Sequence, residues 1–289
     1  MRSTARLGGA RGDRALPTWL LEDGTRGYDA PMAAARDPVR ARWAAGEVAL
    51  NAWLSLEGAS SASLVSAAGF DAVTVDLQHG AASFETLSTL VGAIESSGAV
   101  PFARVPWNDP AVLMRVLDLG VRGVICPMVD SVDEARAFVR ACRYPPEGSR
   151  SYGPVRSALG TGREHTEAAN AAVILFAQIE TAAGLSGVEE ICGTPGLDGV
   201  YVGPADLSLT LGLEAFADLR DARLLEALDR VVAAAASGGV VPGIHAPSDA
   251  GAVEMARRGF RFVGCAGDGE LLRVAAAAAV GRIRDDLRT

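Results

Sequence analysis

Lysine is missing from this chain. All 27 basic residues are arginine, so no side chain can form a Schiff base with a carbonyl substrate. Cysteine is scarce. Cys126, Cys142, Cys192 and Cys265 stand far apart and form no CxxC pair, which argues against zinc ligands and disulfides and for buried thiols in a reducing cytoplasm. No uninterrupted apolar run is long enough to span a bilayer; the Ala-rich "VAAAAAVGRI" at 274–283 is too short. Positive charge is in deficit, with a net charge of −8, so nucleic acid and anionic membranes are poor partners.

What is present is an apolar chain, 49% hydrophobic, with a regular alternation from residue 48 onward. β-type runs stand at 48–56, 71–77, 100–105, 123–128, 172–180, 198–204, 239–246 and 260–266. Segments with helical spacing lie between them, often opened by Ser or Asp as N-caps. "DAGAVEMARRGF" ends at Gly259, a C-cap. Eight strands, apolar on both faces and alternating with helices, predict an α/β fold with a parallel sheet closed into a (β/α)8 TIM barrel, as one domain over 38–289. An open doubly wound sheet is the alternative, weakened by the lack of a GxGxxG after the first strand. Residues 1–37 carry Gly, Arg and Pro without period and no signal-peptide h-region. They read as a disordered extension, native or translated from upstream of a start at Met32.

In such barrels the chemistry sits at the carboxyl ends of the strands. "VDLQHG" places Asp76, Gln78 and His79 at the end of the second strand. Arg104 ends the third, Gln178 and Glu180 end the fifth, and Asp206 follows the sixth. Each has a plain structural explanation: an Arg104–Asp76 ion pair, helix caps at Glu180 and Asp206, a loop histidine. Their joint occurrence around one mouth is harder to explain that way, because buried polar groups are costly unless paired or ligated.

Glu180 and Asp206 offer two hard oxygen ligands, suited to Mg2+ or Mn2+, with Co2+ a further candidate. Such an ion chelates a 2-oxo acid and stabilises its enolate, a route to carbonyl activation that needs no lysine. In "GPADLS", Gly203 and Pro204 lead into a helix whose first free N–H groups, at Ala205 and Asp206, can hold a carboxylate. Arg104 is placed to stabilise charge on a keto oxygen. His79 is expected to be the one histidine near this cluster and its acid/base group. Asp118, a carboxylate among apolar residues near the end of the helix after the third strand, is a candidate for orienting it.

These residues resemble the HpcH/HpaI aldolases, metal-dependent pyruvate aldolases on a (β/α)8 barrel, of which the 4-hydroxy-2-oxoheptanedioate aldolases are one branch. The motifs are "LSL", "GFDAVTVDLQHG", "RVPWNDP", "DEARAFVRACRYPPEGSRSYG", "QIET" and "DGVYVGPADLSLTLG", within about residues 38–285. The resemblance implies His79 as acid/base, Asp118 as the aspartate that raises its basicity, and Arg104 as transition-state stabiliser. It also implies Glu180 and Asp206 as metal ligands, with Gln178 and the backbone of Ala205 and Asp206 binding pyruvate. Gln78 departs from the glutamate many relatives carry, which removes a charge beside the metal. The resemblance further implies a homo-hexamer or other homo-oligomer, with the C-terminal helix packed on a neighbour. The long loop at 144–165, with Arg150, Arg156 and Arg163, is expected to shape the aldehyde site, within the chain or across a subunit boundary.

The expected function is class II aldol cleavage or formation of 4-hydroxy-2-oxo acids from pyruvate and an aldehyde through a metal-bound enolate. Two rivals stand beside it: an acyl-CoA carbon–carbon lyase of the citrate-lyase β type, and a non-catalytic barrel that binds oxo acids. The aldehyde, the metal and the pathway are not encoded legibly.

Overall fold

The computed structural model describes residues 37–154, 156–158, 164–214 and 217–288. The proposed N-terminal extension, apart from Asp37, and Arg163 lie outside the described residues.

The eight runs become eight parallel strands: β1 (Ala49–Leu54), β2 (Ala72–Asp76), β3 (Val100–Arg104), β4 (Gly123–Cys126), β5 (Ile174–Ile179), β6 (Gly199–Val202), β7 (Val241–His245) and β8 (Phe262–Gly267). They pair in sequence order, and β8 closes on β1 with Ala49 opposite Phe262. The (β/α)8 barrel and its eight strands are therefore present.

The helices are more numerous than a strict alternation predicts. They are α1 (Pro38–Ala44), α2 (Ala59–Ser66), α3 (Phe84–Glu95), α4 (Pro110–Asp118), α5 (Val132–Cys142), α6 (His165–Ala172), α7 (Ala182–Ser186), α8 (Val188–Cys192), α9 (Pro204–Thr210), α10 (Ala222–Gly238), α11 (Asp249–Arg258) and α12 (Asp268–Asp286). One connecting helix between β5 and β6 is split into α7 and α8, with Gly187 serving as the C-cap of the first and the N-cap of the second. Gly259, at φ +124°, ends α11 as expected. Among the described residues no helix is long and apolar enough to cross a membrane.

Strand alternation sorts the side chains into two cores. Outward-facing residues such as Val73, Ala103, Leu175, Val200 and Val263 pack under the helices. Inward-facing ones, among them Phe102, Ile125, Phe176, Tyr201 and Phe262, fill the barrel. Phe176 and Phe262 stack at 4.9 Å between centroids, and Phe102 stacks on Phe262 at 5.1 Å. Burying one such ring contributes about 1.5–3 kcal/mol.

The amino end of the barrel is covered by α1. Asp37 caps that helix, accepting from the N–H groups of Val39 and Arg40, and Pro38 supplies the fixed φ of its first turn. Trp43 then lies edge-on to Phe176 and Phe262, 5.9 and 6.1 Å away, and donates to the carbonyl of Arg261. Arg40 donates to the carbonyl of Val173 and to Asp198, and Arg122 pairs with Asp37. Arg122, Val173, Asp198 and Arg261 each immediately precede a strand, so this end is sealed. The interior opens at the carboxyl ends.

Candidate active site

The top inward-facing layer is set by strand parity. In β3 the inward positions run Val100, Phe102, Arg104; in β5 they run Ile174, Phe176, Gln178, with Glu180 next in the series. The lower members belong to the apolar barrel core. The last members are the polar groups picked out from the sequence, so the mouth gathers Asp76, Arg104, Gln178 and Glu180.

Asp76 organises one side. Opposite Arg104 in the β2–β3 register, it accepts from Arg104 Nε at 3.0 Å and Nη2 at 2.6 Å. It also accepts from Trp53 Nε1 at 3.2 Å and from the backbone N–H groups of Gln78 and His79 at 3.1 and 3.2 Å. Burial pushes its carboxyl pKa up, but the Arg104 hydrogen bonds and charge, helped by Trp53 and His79, hold it below the ordinary value. The expected Arg104–Asp76 pair is thus formed, and it uses the Nε edge of the guanidinium. Arg104 also lies over the Trp53 ring, 5.0 Å from its centroid. His79 is exposed, its turn pinned to Asp76 by the backbone.

Glu180 anchors the other side. It is 2% exposed, as is Gln178. Its Oε1 accepts from the N–H of Met128 at 2.8 Å, and its Oε2 from Gln178 Nε2 at 2.5 Å. Met128, just beyond β4, holds φ at +54°. A left-handed methionine is costly, and such strain persists where the surroundings impose it, often at functional sites. Sequence reasoning missed it, since its contribution is a backbone N–H. Burial, reinforced by the charge of Asp206, pushes Glu180 up to about 7 despite the Met128 N–H.

Asp206 is exposed in the first turn of α9, which follows β6, the strand neighbouring β5. That turn leaves the N–H groups of Ala205 and Asp206 without intrahelical partners. Gly203 and Pro204 are buried. A Cβ at Gly203 would fall 2.6 Å from Glu180 Oε2 and 2.7 Å from Gln178 Nε2, so any side chain there would displace both groups from their present positions. Two carboxylates on neighbouring segments and the buried, unpartnered Oε1 of Gln178 form an oxygen-rich set that fits a hard divalent cation. Among the described residues no cluster of three or more His, Cys, Asp or Glu could hold a metal ion, so water and substrate would complete the shell.

Three expectations meet a different geometry. Asp118 ends α4, and α4 runs from the carboxyl end of β3 back toward the amino ends of the strands. Its carboxylate accepts from Arg150 Nη2 at 2.6 Å, while His79 lies past the carboxyl end of β2. Within one chain Asp118 does not orient His79. The described part of the 144–165 loop leaves α5 at that same amino end, where Arg156 pairs with Glu95, on the far side from its own chain's mouth. Third, His79 is not the sole histidine there. His245 ends β7 at the inward parity, in edge contact with Trp53 at 5.1 Å. The signal was legible, because "VPGIH" has the inward spacing of "VPFAR".

The chain is 37% identical over 214 residues to the hydroxypyruvate/pyruvate aldolase of Rhizorhabdus wittichii, covering 74% of this chain and 85% of that one. It is 33% identical over 215 residues to the 4-hydroxy-2-oxo-heptane-1,7-dioate aldolase of Salmonella typhimurium, covering 73% and 81%. A crystal structure of an HpcH/HpaI aldolase/citrate lyase family protein from Burkholderia cenocepacia superposes with a TM-score of 0.75 at 33% identity, over 82% of this chain and 95% of that one. The family pattern itself matches residues 50–275, and the chain belongs to the HpcH/HpaI aldolase/citrate lyase family.

Proposed function

We propose that this carbon–carbon lyase is a divalent-metal-dependent aldolase that cleaves or forms 4-hydroxy-2-oxo acids from pyruvate and an aldehyde. The observation that carries the reading is the convergence of Glu180, Asp206, Gln178 and Arg104 on one barrel mouth. Aldolase names among relatives over more than two thirds of the chain support it.

Glu180 and Asp206 would hold Mg2+ or Mn2+, with Co2+ a further candidate; when bound, the ion supplies Lewis acidity toward a keto oxygen. Gln178 and the N–H groups of Ala205 and Asp206 bind and orient the oxo acid, alongside Gly203 and Pro204. In cleavage a base takes the proton of the 4-hydroxyl, the C3–C4 bond breaks, and the aldehyde leaves. Its electron pair passes into the oxo acid, giving an enolate that a proton at C3 converts to pyruvate. Arg104, its Nε edge fixed by Asp76, turns its remaining donors toward the negative oxygen. His79 carries the proton, being the exposed acid/base group at the rim.

Asp118 can orient His79 in this reading only from a second copy of the chain. A homo-oligomer is supported by α12, which exposes Leu272, Val274, Val280 and Ile283 and buries only Asp268. Unpaired thiols at all four cysteines agree with a reducing cytoplasm.

The test is incubation with pyruvate, Mg2+ or Mn2+ and a panel of aldehydes, with and without EDTA. New 4-hydroxy-2-oxo acid that disappears with EDTA is expected. No product from any aldehyde would return the chain to the oxo-acid-binding alternative.

A further inference from the structure

The mouth holds an ionisable group that the proposed mechanism does not use. His245 ends β7 in the same inward layer as Arg104 and Gln178, and it reaches the mouth from the side next to β6, whose carboxyl end carries Ala205 and Asp206. Its ring lies edge-on to Trp53 at 5.1 Å between centroids, and Trp53 in turn stacks on Tyr201 at 5.9 Å. Room for the imidazole comes from Gly264: a Cβ there would lie 3.2 Å from His245 Nδ1 and 2.4 Å from the Tyr201 hydroxyl.

The two ring nitrogens differ. Nδ1 is buried and has no hydrogen-bond partner among the described residues. The residue as a whole is partly exposed, so Nε2 is the edge that meets the mouth. A neutral imidazole keeps its proton where a partner can reach it. Burial, and then the positive charge of Arg104, push His245 toward the neutral form, with Asp76 opposing. Nε2–H is then the donor that the ring offers on its open side, at the mouth that also holds Arg104 and Gln178.

We infer that His245 is a specificity-determining residue whose Nε2–H hydrogen-bonds a hydroxyl on C3 of the oxo acid, favouring a 3-hydroxy-2-oxo acid over one whose C3 is a bare methyl. This rests on the aldolase reading above. A methyl group leaves the donor desolvated and unpaired, and sites built to bind a hydroxyl reject its absence strongly.

The experiment is exchange of the C3 protons for deuterium, followed by NMR, for hydroxypyruvate and pyruvate separately with Mg2+. No aldehyde is present, so acceptor preference does not enter, and the rate without enzyme is subtracted. His245→Leu should lower kcat/KM for hydroxypyruvate about tenfold or more beyond any change for pyruvate, and His245→Gln should recover part of the difference. If His245→Leu does not fold, His245→Met makes the same comparison. An unchanged ratio, or equal losses for both acids, overturns the inference while leaving the aldolase reading intact. Absence of metal-dependent exchange in the unaltered protein with either acid overturns both.

Discussion

Asp76 and Arg104 face each other across adjacent strands and share two hydrogen bonds, at 3.0 and 2.6 Å. The same carboxylate fixes the backbone of the turn that carries His79. One buried acid therefore positions both Arg104 and the turn of His79, to which the proposed function gives the keto oxygen and the proton.

Removing that acid should damage stability and activity together. Breaking a buried pair by deleting one partner costs about 3–5 kcal/mol, because the other charge is left without compensation. Asp76→Ala is expected to lose that much in urea unfolding and to lower kcat for aldol cleavage at least as far as Arg104→Ala does. If Asp76→Ala kept wild-type kcat, the positioning role would be wrong.

His79→Ala should separate chemistry from binding. General acid/base groups contribute about 10²–10⁴-fold, so cleavage should slow by that range. Affinity for Mn2+ should persist, since Glu180 and Asp206 are untouched. Parallel steady-state kinetics and calorimetric titration check the split; unaltered cleavage would remove His79 from the mechanism.

Glu180 gives a pH dependence of defined sign. Its carboxyl is raised from 4.5 to about 7 in the folded chain. The group therefore favours folding fully below its unfolded value, and that contribution is lost as pH rises through about 7. At about 1.4 kcal/mol per pKa unit this is on the order of 3 kcal/mol. Metal-free protein should lose melting temperature between about pH 4.5 and 7 on this account. Glu180→Gln should flatten that limb, and Mg2+ at pH 8 should restore the wild-type protein. Thermal melts across that range, showing equal slopes for both proteins, would contradict the buried-carboxylate picture.

The exposed apolar residues of α12 predict self-association. Replacing Leu272 and Ile283, which are 64% and 60% exposed, with arginine should shift the particle toward monomer in sedimentation without lowering the melting temperature of the barrel. An unshifted mass would place the subunit contact elsewhere.

The strands and most of the mouth were legible in the sequence for one reason. A polar residue at the end of a run buried on both faces has few places to go, so Asp76, Arg104, Gln178 and Glu180 announced themselves. His245 followed the same rule and was passed over because proline and glycine at Pro242 and Gly243 thin the apolar signal of its strand. Met128 left no trace, since its backbone N–H does the work and any residue type carries one. Asp118 was misplaced within the chain because a motif gives the order of residues and not the end of the barrel to which a returning helix carries them. The helix split at Gly187 was hidden for a similar reason, since one glycine in a helical pattern is usually tolerated.

The central claim is that Glu180 and Asp206 share one divalent cation. Titration of the metal-free protein with Mn2+, read by calorimetry or by the loss of free Mn2+ signal in electron paramagnetic resonance, tests it directly. The account predicts one site per chain in the unaltered protein and its loss in both Glu180→Gln and Asp206→Asn. Unchanged Mn2+ affinity in either variant would contradict it.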